Sequence, residues 1–295
     1  MSLSTTLRYI ANHPLNRTTR LSAISRFIKW QINVRLNPYP VIYPFTNKAK
    51  LIVAKGMTGA TGNLYCGLHE FNDMGFLLHF LREEDLFIDI GANIGSYTIL
   101  ASAHVGAKTI SFEPVPITFN HLIRNIQING AHDKVRAFNV AIGSSKGFVE
   151  FTSTLDTTNH VATKDDKETI QVSIDVLDDI LEGKEIPTLM KIDVEGFETE
   201  VIKGAESTLM NERMKAVIIE LNGSGLQYGY DENKIDAKFR ELGFKLFSYD
   251  PLKRFLSESM VNDKYRHNSI YIKDLNFVRS RIASADKVKI RDANF

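Results

Sequence analysis

The sequence predicts an α/β fold in which a mostly parallel sheet carries helices on both faces. From residue 86 onward, short apolar runs alternate with segments of helical periodicity, which is typical of strand–helix–strand units. The first of these strands, 86–90, runs into a glycine-containing turn and then a helix, as at the ligand-binding edge of open α/β sheets. A helical pattern also precedes the alternating region, so we expect an N-terminal helical extension.

The extension, residues 1–64, is predicted to contain two helices, two short strands and a glycine-rich turn. The first helix covers 4–11 and ends before Pro14. The second covers 19–34, where apolar residues recur at helical spacing and predict a face that packs on the domain or on a second subunit. Those residues are Leu21, Ile24, Phe27, Ile28 and Ile32. Strands are expected at 41–45 and 50–54, followed by a turn over 56–62.

The main domain is predicted to cover residues 65–275, with 276–295 as a C-terminal tail. A helix over 68–81 is expected to pack on the sheet. The predicted strands are 86–90, 108–112, 135–140, 188–194, 216–221, 244–249 and 269–272, with a hairpin formed by 147–152 and 169–174. The predicted helices between them are 96–104, 117–129, 198–209 and 235–242.

Composition limits the classes of protein that the chain can represent. With 43% hydrophobic and 24% charged residues, it is typical of a globular protein. No run approaches the roughly 20 apolar residues of a membrane span, and the N-terminus lacks the apolar core of a secretory signal. Cys66 is the one cysteine, which excludes an intramolecular disulfide framework and fits a reducing compartment. We therefore predict a cytoplasmic protein with any membrane contact peripheral.

Charge is distributed unevenly along the chain. Residues 1–69 contain nine Lys and Arg residues and no Asp or Glu, although the whole chain has a net charge of +1. This asymmetry predicts a basic N-terminal face. We expect first that its helices pack their apolar face on the domain or on a second subunit. Docking to an anionic surface, such as a membrane leaflet or a charged lipid-linked glycan, is an alternative, and an organelle-targeting segment has a similar composition. The sequence contains no basic–aromatic module of the kind that binds nucleic acids, so we do not expect a nucleic-acid partner.

The clearest chemical motif is the loop Asp89–Tyr97, between a predicted strand and a predicted helix. Gly91 and Gly95 would let the backbone approach a ligand, and the helix start offers free N–H groups. A dinucleotide site requires G-x-G-x-x-G, but position 93 is Asn. Asp89 can hold the amino group of a methionine moiety, so the loop favours S-adenosylmethionine over NAD. An NAD-dependent oxidoreductase, a non-catalytic binding module and a glycine turn without a ligand remain alternatives.

Acidic residues follow the other predicted strands at the same edge of the sheet. Glu113 ends the second strand, where an acid can accept both hydroxyls of a ribose. Asp193 and Glu195 follow the fourth strand and Glu220 ends the fifth, so we expect them to converge as candidate bases or substrate contacts. A divalent metal ion held by these oxygens is an alternative that we do not favour.

Three further side chains are candidates for contacts with the substrate or the cofactor, and His160 and Glu70 each also have an ordinary structural explanation. Histidine side chains can act as general bases, so His160 is a candidate base or substrate ligand, and Asn159 beside it is a candidate substrate contact. A loop histidine is also often only solvated. Glu70 is a candidate to reach the cofactor from the preceding segment, or is an exposed helix acid. Loops 155–168 and 223–232 are expected to shape the acceptor site.

These motifs together resemble the FkbM family of methyltransferases over residues 65–250. The resemblance rests on 89–98, 112–114, 139–143, 190–198 and 219–220. It implies a class-I methyltransferase fold with a Rossmann-like seven-stranded sheet and S-adenosylmethionine as the cofactor. It also implies O-methylation, often of a sugar or polyketide hydroxyl, so the expected partner is a small-molecule or glycan acceptor.

By position, the resemblance also implies the role of individual residues. Glu113 would hold the ribose, Asp193 and Glu195 would face the acceptor, and the base would be one of these two or His160. The methionine end would be lined by Asp89, Gly91, Asn93, Gly95 and Tyr97, the adenine would be surrounded by Asn139, Ala141 and Ile142, and Ala92, Ser96 and Pro114 complete the expected cofactor-binding set.

Overall fold

The computed structural model describes residues 2–153, 155, 158–183, 185–259 and 268–295. The helices are α1 (Leu3–Asn12), α2 (Arg20–Leu36), α3 (Thr58–Cys66), α4 (Phe71–Phe80), α5 (Ser96–Ile99), α6 (Pro116–Ile128), α7 (Leu177–Leu181), α8 (Glu198–Gly204), α9 (Glu206–Met210), α10 (Glu232–Glu241) and α11 (Leu275–Ser284). The strands are β1 (Val41–Pro44), β2 (Lys50–Val53), β3 (Leu86–Ile90), β4 (Lys108–Phe112), β5 (Val135–Phe138), β6 (Ala141–Ile142), β7 (Gly147–Thr152), β8 (Thr169–Asp175), β9 (Leu189–Ile192), β10 (Ala216–Glu220), β11 (Lys245–Asp250), β12 (Phe255–Glu258), β13 (Asn268–Ile272), β14 (Lys289–Ile290) and β15 (Ala293–Asn294).

The main sheet confirms the predicted fold class. Its strand order is β12-β11-β13-β10-β9-β3-β4-β5, with β10, β9, β3, β4 and β5 parallel and β13 antiparallel to both of its neighbours. The chain leaves β3 toward β5 and then returns to β9 on the other side, so the order reverses between β3 and β9. That reversal opens a crevice at the carboxyl ends of the strands. The short edge strand β12 extends the predicted seven strands to eight.

The central strands are buried on both faces, which explains their nearly continuous apolar sequences. All five residues of β3 and all four of β9 are buried. One apolar cluster packs α4 and the N-terminal extension against the sheet, and a second packs α8 to α10 on the other side. In the second cluster the rings of Phe239 and Tyr271 stack with centroids 4.4 Å apart. The strand ends that border the crevice are therefore held by packing on both faces.

The N-terminal extension shares the first apolar cluster with the main domain. Helix α2 buries Ala23, Phe27 and Trp30. The apolar face predicted for this helix is buried only in part, because Ile28 and Ile32 are exposed. The face of α2 that packs on the domain is therefore not the one that the sequence predicted, which carries most of its aliphatic residues. In the described part of the chain, no helix has both the length and the apolar character needed to cross a bilayer.

The prediction of a turn over 56–62 is wrong from Thr58 onward, where α3 begins. Gly62 lies inside this helix against His69, and a Cβ there would come within 2.6 Å of the His69 Nδ1 atom. Glycine therefore serves close packing at this position. The predicted helix over 198–209 is two helices, α8 and α9.

The C-terminal residues are folded onto the extension. Ile290 and Phe295, in and after the β14–β15 hairpin, are buried. The Arg291 guanidinium donates to the Tyr43 hydroxyl at 2.7 Å and to the backbone carbonyls of Asn63, Leu64 and Tyr65 at 3.2, 2.5 and 3.2 Å. The end of α3 is therefore fixed from the C-terminus of the chain.

We predict that Arg291→Met lowers the free energy of unfolding by about 2–3 kcal/mol, because it leaves the Asn63 and Leu64 carbonyls without their charged donor. Urea denaturation followed by circular dichroism measures the change. The control is Lys289→Met, an exposed position of the same hairpin. Equal stability of the two variants would contradict the role given to Arg291.

Candidate functional site

A cavity of about 250 Å³ opens at the carboxyl edge of the central strands. Its lining includes most of the side chains predicted from the sequence. Those are Glu70, Asp89, Gly91, Ala92, Asn93, Ser96, Tyr97, Glu113, Pro114, Ala141, Ile142, Asn159, Asp193, Glu195 and Glu220. Gly95, Asn139 and His160 do not belong to the lining.

Gly91 brings the ends of β3 and β9 together. It has φ +79°, and a Cβ there would lie 1.7 Å from the backbone oxygen of Asp193. The N–H groups of Gly91 and Ala92 both donate to the Phe112 carbonyl, at 3.0 and 2.9 Å. Any side chain at position 91 would force the strands apart. Gly95, with φ +90°, instead precedes α5 and packs against Leu122 beneath the cavity.

Asp89 has an unsatisfied oxygen at the centre of the site. The residue is 1% exposed; its Oδ2 accepts from the Thr98 hydroxyl at 2.6 Å, and its Oδ1 has no hydrogen-bond partner. Burial raises the pKa of Asp89 to about 6, against the opposing effects of Lys191 and Thr98. A buried carboxylate oxygen without a donor is costly unless a ligand supplies one. The residue therefore fits the cationic amino group of a ligand.

Glu113 fixes the glycine-containing loop to the end of β4. Its two carboxylate oxygens accept from the N–H groups of Asn93 and Val115, at 3.0 and 2.9 Å. Burial raises its pKa to about 7, although both hydrogen bonds lower it. Each oxygen retains a lone pair for a hydroxyl of a ligand. Asn139 donates from Nδ2 to the carbonyls of Glu113 and Pro114, both at 2.8 Å, so it supports this turn from outside the cavity.

Lys191 is a functional candidate that the sequence analysis missed. Its side chain is 3% exposed and forms an ion pair with Asp193, and its Nζ lies 4.6 Å from the centre of the Tyr97 ring. Burial lowers the pKa of Lys191, but the neighbouring carboxylates, Asp193 first, outweigh this and raise it. A lysine inside the apolar run of a central strand is the signal that would have identified it, since buried charges require partners.

Three carboxylates converge as predicted at the ends of β9 and β10. One oxygen from each of Asp193, Glu195 and Glu220 lies within 4.8 Å of the other two. Burial, and then the charge of Asp193, raises the pKa of Glu195 to about 7. The same two causes raise the pKa of Glu220 well above its ordinary value. The two glutamates of the cluster therefore bind a proton more tightly than isolated carboxylates do.

His160 is close to the site, but its ring is already engaged. Its Nε2 lies 3.3 Å from the Asp166 carboxylate and its Nδ1 lies 2.9 Å from the Thr158 carbonyl. Its neighbour Asn159 does line the cavity and accepts from the Leu155 N–H at 3.0 Å. Residues 156 and 157 of this loop lie outside the described part of the chain.

One wall of the cavity comes from the segment assigned to the extension. Thr58, Gly59 and Asn63 of α3 belong to the lining. Asn63 donates from Nδ2 to the Ser96 hydroxyl at 3.1 Å and accepts from the His69 N–H at 2.7 Å. This wall depends on α3 folding back over the loop after β3, a long-range contact that local sequence patterns do not encode.

Comparison with known proteins identifies the family. Residues 89–246, more than half of the chain, match the model of the Methyltransferase FkbM domain. The chain belongs to the FkbM methyltransferase family.

Two relatives of this FkbM-family chain are named as methyltransferases. This chain is 30% identical over 148 residues to the hexuronic acid methyltransferase AglP of Haloferax volcanii. The aligned region covers 50% of this chain and 59% of AglP. The chain is 29% identical over 212 residues to the methyltransferase sdnD of Sordaria araneosa, covering 60% of this chain and 80% of sdnD. The match therefore spans less than two thirds of AglP.

Solved structures of methyltransferases also align with this FkbM-family chain. One is the methyltransferase FkbM from Methylobacillus flagellatus KT, with a TM-score of 0.45 and 17% identity, covering 72% of this chain and 52% of that chain. Another is a precorrin-6y C5,15-methyltransferase from Geobacter metallireducens GS-15, with a TM-score of 0.42 and 14% identity, covering 78% of this chain and 96% of that chain.

The raised pKa values of Glu195 and Glu220 predict how stability depends on pH. A carboxyl whose pKa is higher in the folded state binds more protons there, so stability falls as pH rises above its unfolded value of about 4.5. Glu220→Gln removes one such group. We expect this variant to be more stable than the wild type at about pH 8, with the difference shrinking toward about pH 5.

Urea denaturation at the two pH values tests this expectation. The control is Glu83→Gln, which removes an exposed carboxylate that does not line the cavity. If Glu220→Gln destabilised the chain equally at both pH values, the described electrostatics of the cluster would be wrong.

Proposed function

We propose that this FkbM-family chain transfers a methyl group from S-adenosylmethionine to a hydroxyl oxygen of a sugar, a glycan or a secondary metabolite. The observation that carries the proposal is the unpartnered Oδ1 of buried Asp89, in a loop whose glycine admits close backbone contact. A cationic amino group would satisfy that oxygen, and the amino group of a methionine moiety meets this requirement.

The remaining cofactor roles follow from the chemistry of the lining. Glu113 accepts ribose hydroxyls while its backbone bonds hold it in place. Ala141 and Ile142, both buried, offer an apolar surface for the adenine. Asn139 and Gly95 act from outside the cavity lining. Asn139 holds the turn after β4, and Gly95 forms the start of α5. When bound, the cofactor supplies an electrophilic methyl group on a sulfonium.

We assign the general base to Glu195. A base is most effective when its pKa lies near the working pH, and burial raises the pKa of Glu195 to about 7. It lines the cavity, whereas His160 does not. Asp193 is paired with Lys191, so we give it the role of orienting the acceptor and the cluster rather than removing the proton.

The acceptor proposal rests on polar lining and on the name of one relative. Asn63, Asn159 and Glu220 line the cavity with amide and carboxylate oxygens, each of which can accept more than one hydrogen bond and so suits carbohydrate hydroxyls. AglP is named as a hexuronic acid methyltransferase, which supports a sugar as the acceptor. The proposal places no divalent cation among the carboxylates, because Lys191 already supplies positive charge beside Asp193.

We expect Asp89→Asn and Glu113→Gln each to weaken binding of S-adenosylhomocysteine by about tenfold to a hundredfold, because each removes a charged hydrogen-bond acceptor. Isothermal titration calorimetry measures the affinities. Asp133→Asn is the matched control, since the Asp133 side chain is 88% exposed. Wild-type affinity in both cavity variants would refute the assignment of the cofactor site.

We expect Glu195→Gln to lower kcat by about a hundredfold or more while cofactor affinity is retained, because the amide cannot take the acceptor proton. In the wild type the rate should rise with a midpoint near pH 7, set by the pKa of Glu195. Formation of S-adenosylhomocysteine with a panel of hexuronic acid and neutral sugar acceptors provides the assay.

Two controls accompany the test of the base. His160→Gln should leave kcat within a few fold, and a chelator should leave the wild-type rate unchanged. Loss of activity in His160→Gln alone would move the base to the histidine, and loss on chelation would show that the reaction requires a metal ion. Turnover with none of the acceptors but tight cofactor binding would favour a non-catalytic binding module.

A further inference from the structure

The outward face of α2 exposes large aliphatic side chains. Leu21, Ile28, Ile32 and Leu36 are 84%, 50%, 53% and 80% exposed. Their spacing places them along one side of the helix, opposite the buried Ala23, Phe27 and Trp30. We call these four residues the α2 stripe. A row of exposed aliphatic side chains on a helix that is already packed on its other side indicates contact with a partner.

Basic residues border the α2 stripe. Lys29 and Arg35 are exposed on either side of it. Arg8, Arg17 and Arg20, in and before the helix, are exposed as well. No Asp or Glu occurs in residues 1–69, so no carboxylate of this segment neutralises these charges. The surface therefore combines exposed aliphatic side chains with positive charges that no carboxylate of the same segment balances.

A second copy of the chain is a poor occupant for this surface. A two-fold contact brings the same patch of both subunits together, so Lys29 and Arg35 would face like charges. An anionic lipid surface offers the complementary charge and an apolar layer beneath it. Amphipathic helices in which lysines and arginines border an apolar face lie in the plane of the membrane interface.

We propose that the α2 stripe docks into the headgroup region of an anionic lipid bilayer, with α2 parallel to the membrane surface. Lys29 and Arg35 contact lipid phosphates, and the stripe inserts between acyl chains. Tyr39, just beyond the helix and 76% exposed, extends the contact at a depth that tyrosine favours. The proposal does not depend on the identity of the cofactor or the acceptor.

Docking in this orientation connects the membrane to the reaction site. On its inner side, α2 contacts α3 through Phe27, whose ring centre lies 5.1 Å from that of Tyr65. Gln31 also donates to the Tyr65 hydroxyl at 3.2 Å. Because Thr58, Gly59 and Asn63 of α3 line the cavity, one helix separates the bilayer from the cavity wall. Such a placement suits an acceptor that is carried on a lipid.

Vesicle flotation with the full chain tests the proposal. The probes are vesicles of phosphatidylcholine alone and vesicles in which about a third of the lipid is phosphatidylglycerol. We expect binding to the anionic vesicles only, and loss of that binding at high salt. Lys29→Gln with Arg35→Gln should weaken it by about fivefold for each charge removed. The matched control is Arg213→Gln with Lys245→Gln, two exposed charges outside the extension.

A triple variant, Ile28→Gln with Ile32→Gln and Leu36→Gln, tests the apolar part. We expect it to lose at least about tenfold in vesicle affinity. Met210→Gln, at a position 61% exposed elsewhere, should bind as the wild type does. Unchanged thermal unfolding of each variant shows that the fold is intact.

Three results would overturn the proposal. One is absence of wild-type binding to anionic vesicles, and another is equal binding to neutral vesicles. The third is a dimer, seen by sedimentation velocity, that the triple variant abolishes while vesicle binding is unaffected. Since none of these measurements uses the cofactor, they are separate from any failure of the methyltransferase proposal.

Discussion

The close approach of Gly91 to the backbone of Asp193 sets the geometry on which the rest of the site depends. It holds the ends of β3 and β9 together where the strand order reverses, and no other residue type fits at position 91. With those ends fixed, Asp89 and the carboxylate cluster occupy neighbouring positions on one edge of the sheet. One backbone contact therefore links the proposed cofactor site to the proposed acceptor site.

Charge inside the cavity is balanced by few groups. Lys191 is buried among carboxylates and pairs directly with Asp193, and burial keeps the pKa values of Asp89, Glu113 and Glu195 above their ordinary range. A ligand with a cationic amino group would compensate part of this charge. The same electrostatics that favour such a ligand also supply a carboxyl suited to remove a proton near neutral pH. The proposed cofactor binding and the proposed proton transfer thus have a common physical origin.

The sequence predicted the sheet and most of its edge because these features depend on local patterns. Buried parallel strands appear as apolar runs, and chemistry in α/β folds concentrates where those runs end, which identified Asp89, Glu113 and Glu220. Long-range packing was not predictable in this way. The wall formed by Asn63, the outward rotation of the aliphatic residues of α2, and the engagement of His160 by Asp166 all depend on contacts between distant segments. Lys191 was visible in the sequence as a charge in an apolar strand, but its partners were not.

The central claim is that the loop after β3 binds S-adenosylmethionine in preference to a dinucleotide. The most direct measurement is a calorimetric titration of the wild-type chain with S-adenosylmethionine and, in parallel, with NAD. The account predicts saturable one-to-one binding of S-adenosylmethionine and no detectable binding of NAD at the same concentrations. Saturable binding of NAD without binding of S-adenosylmethionine would contradict it.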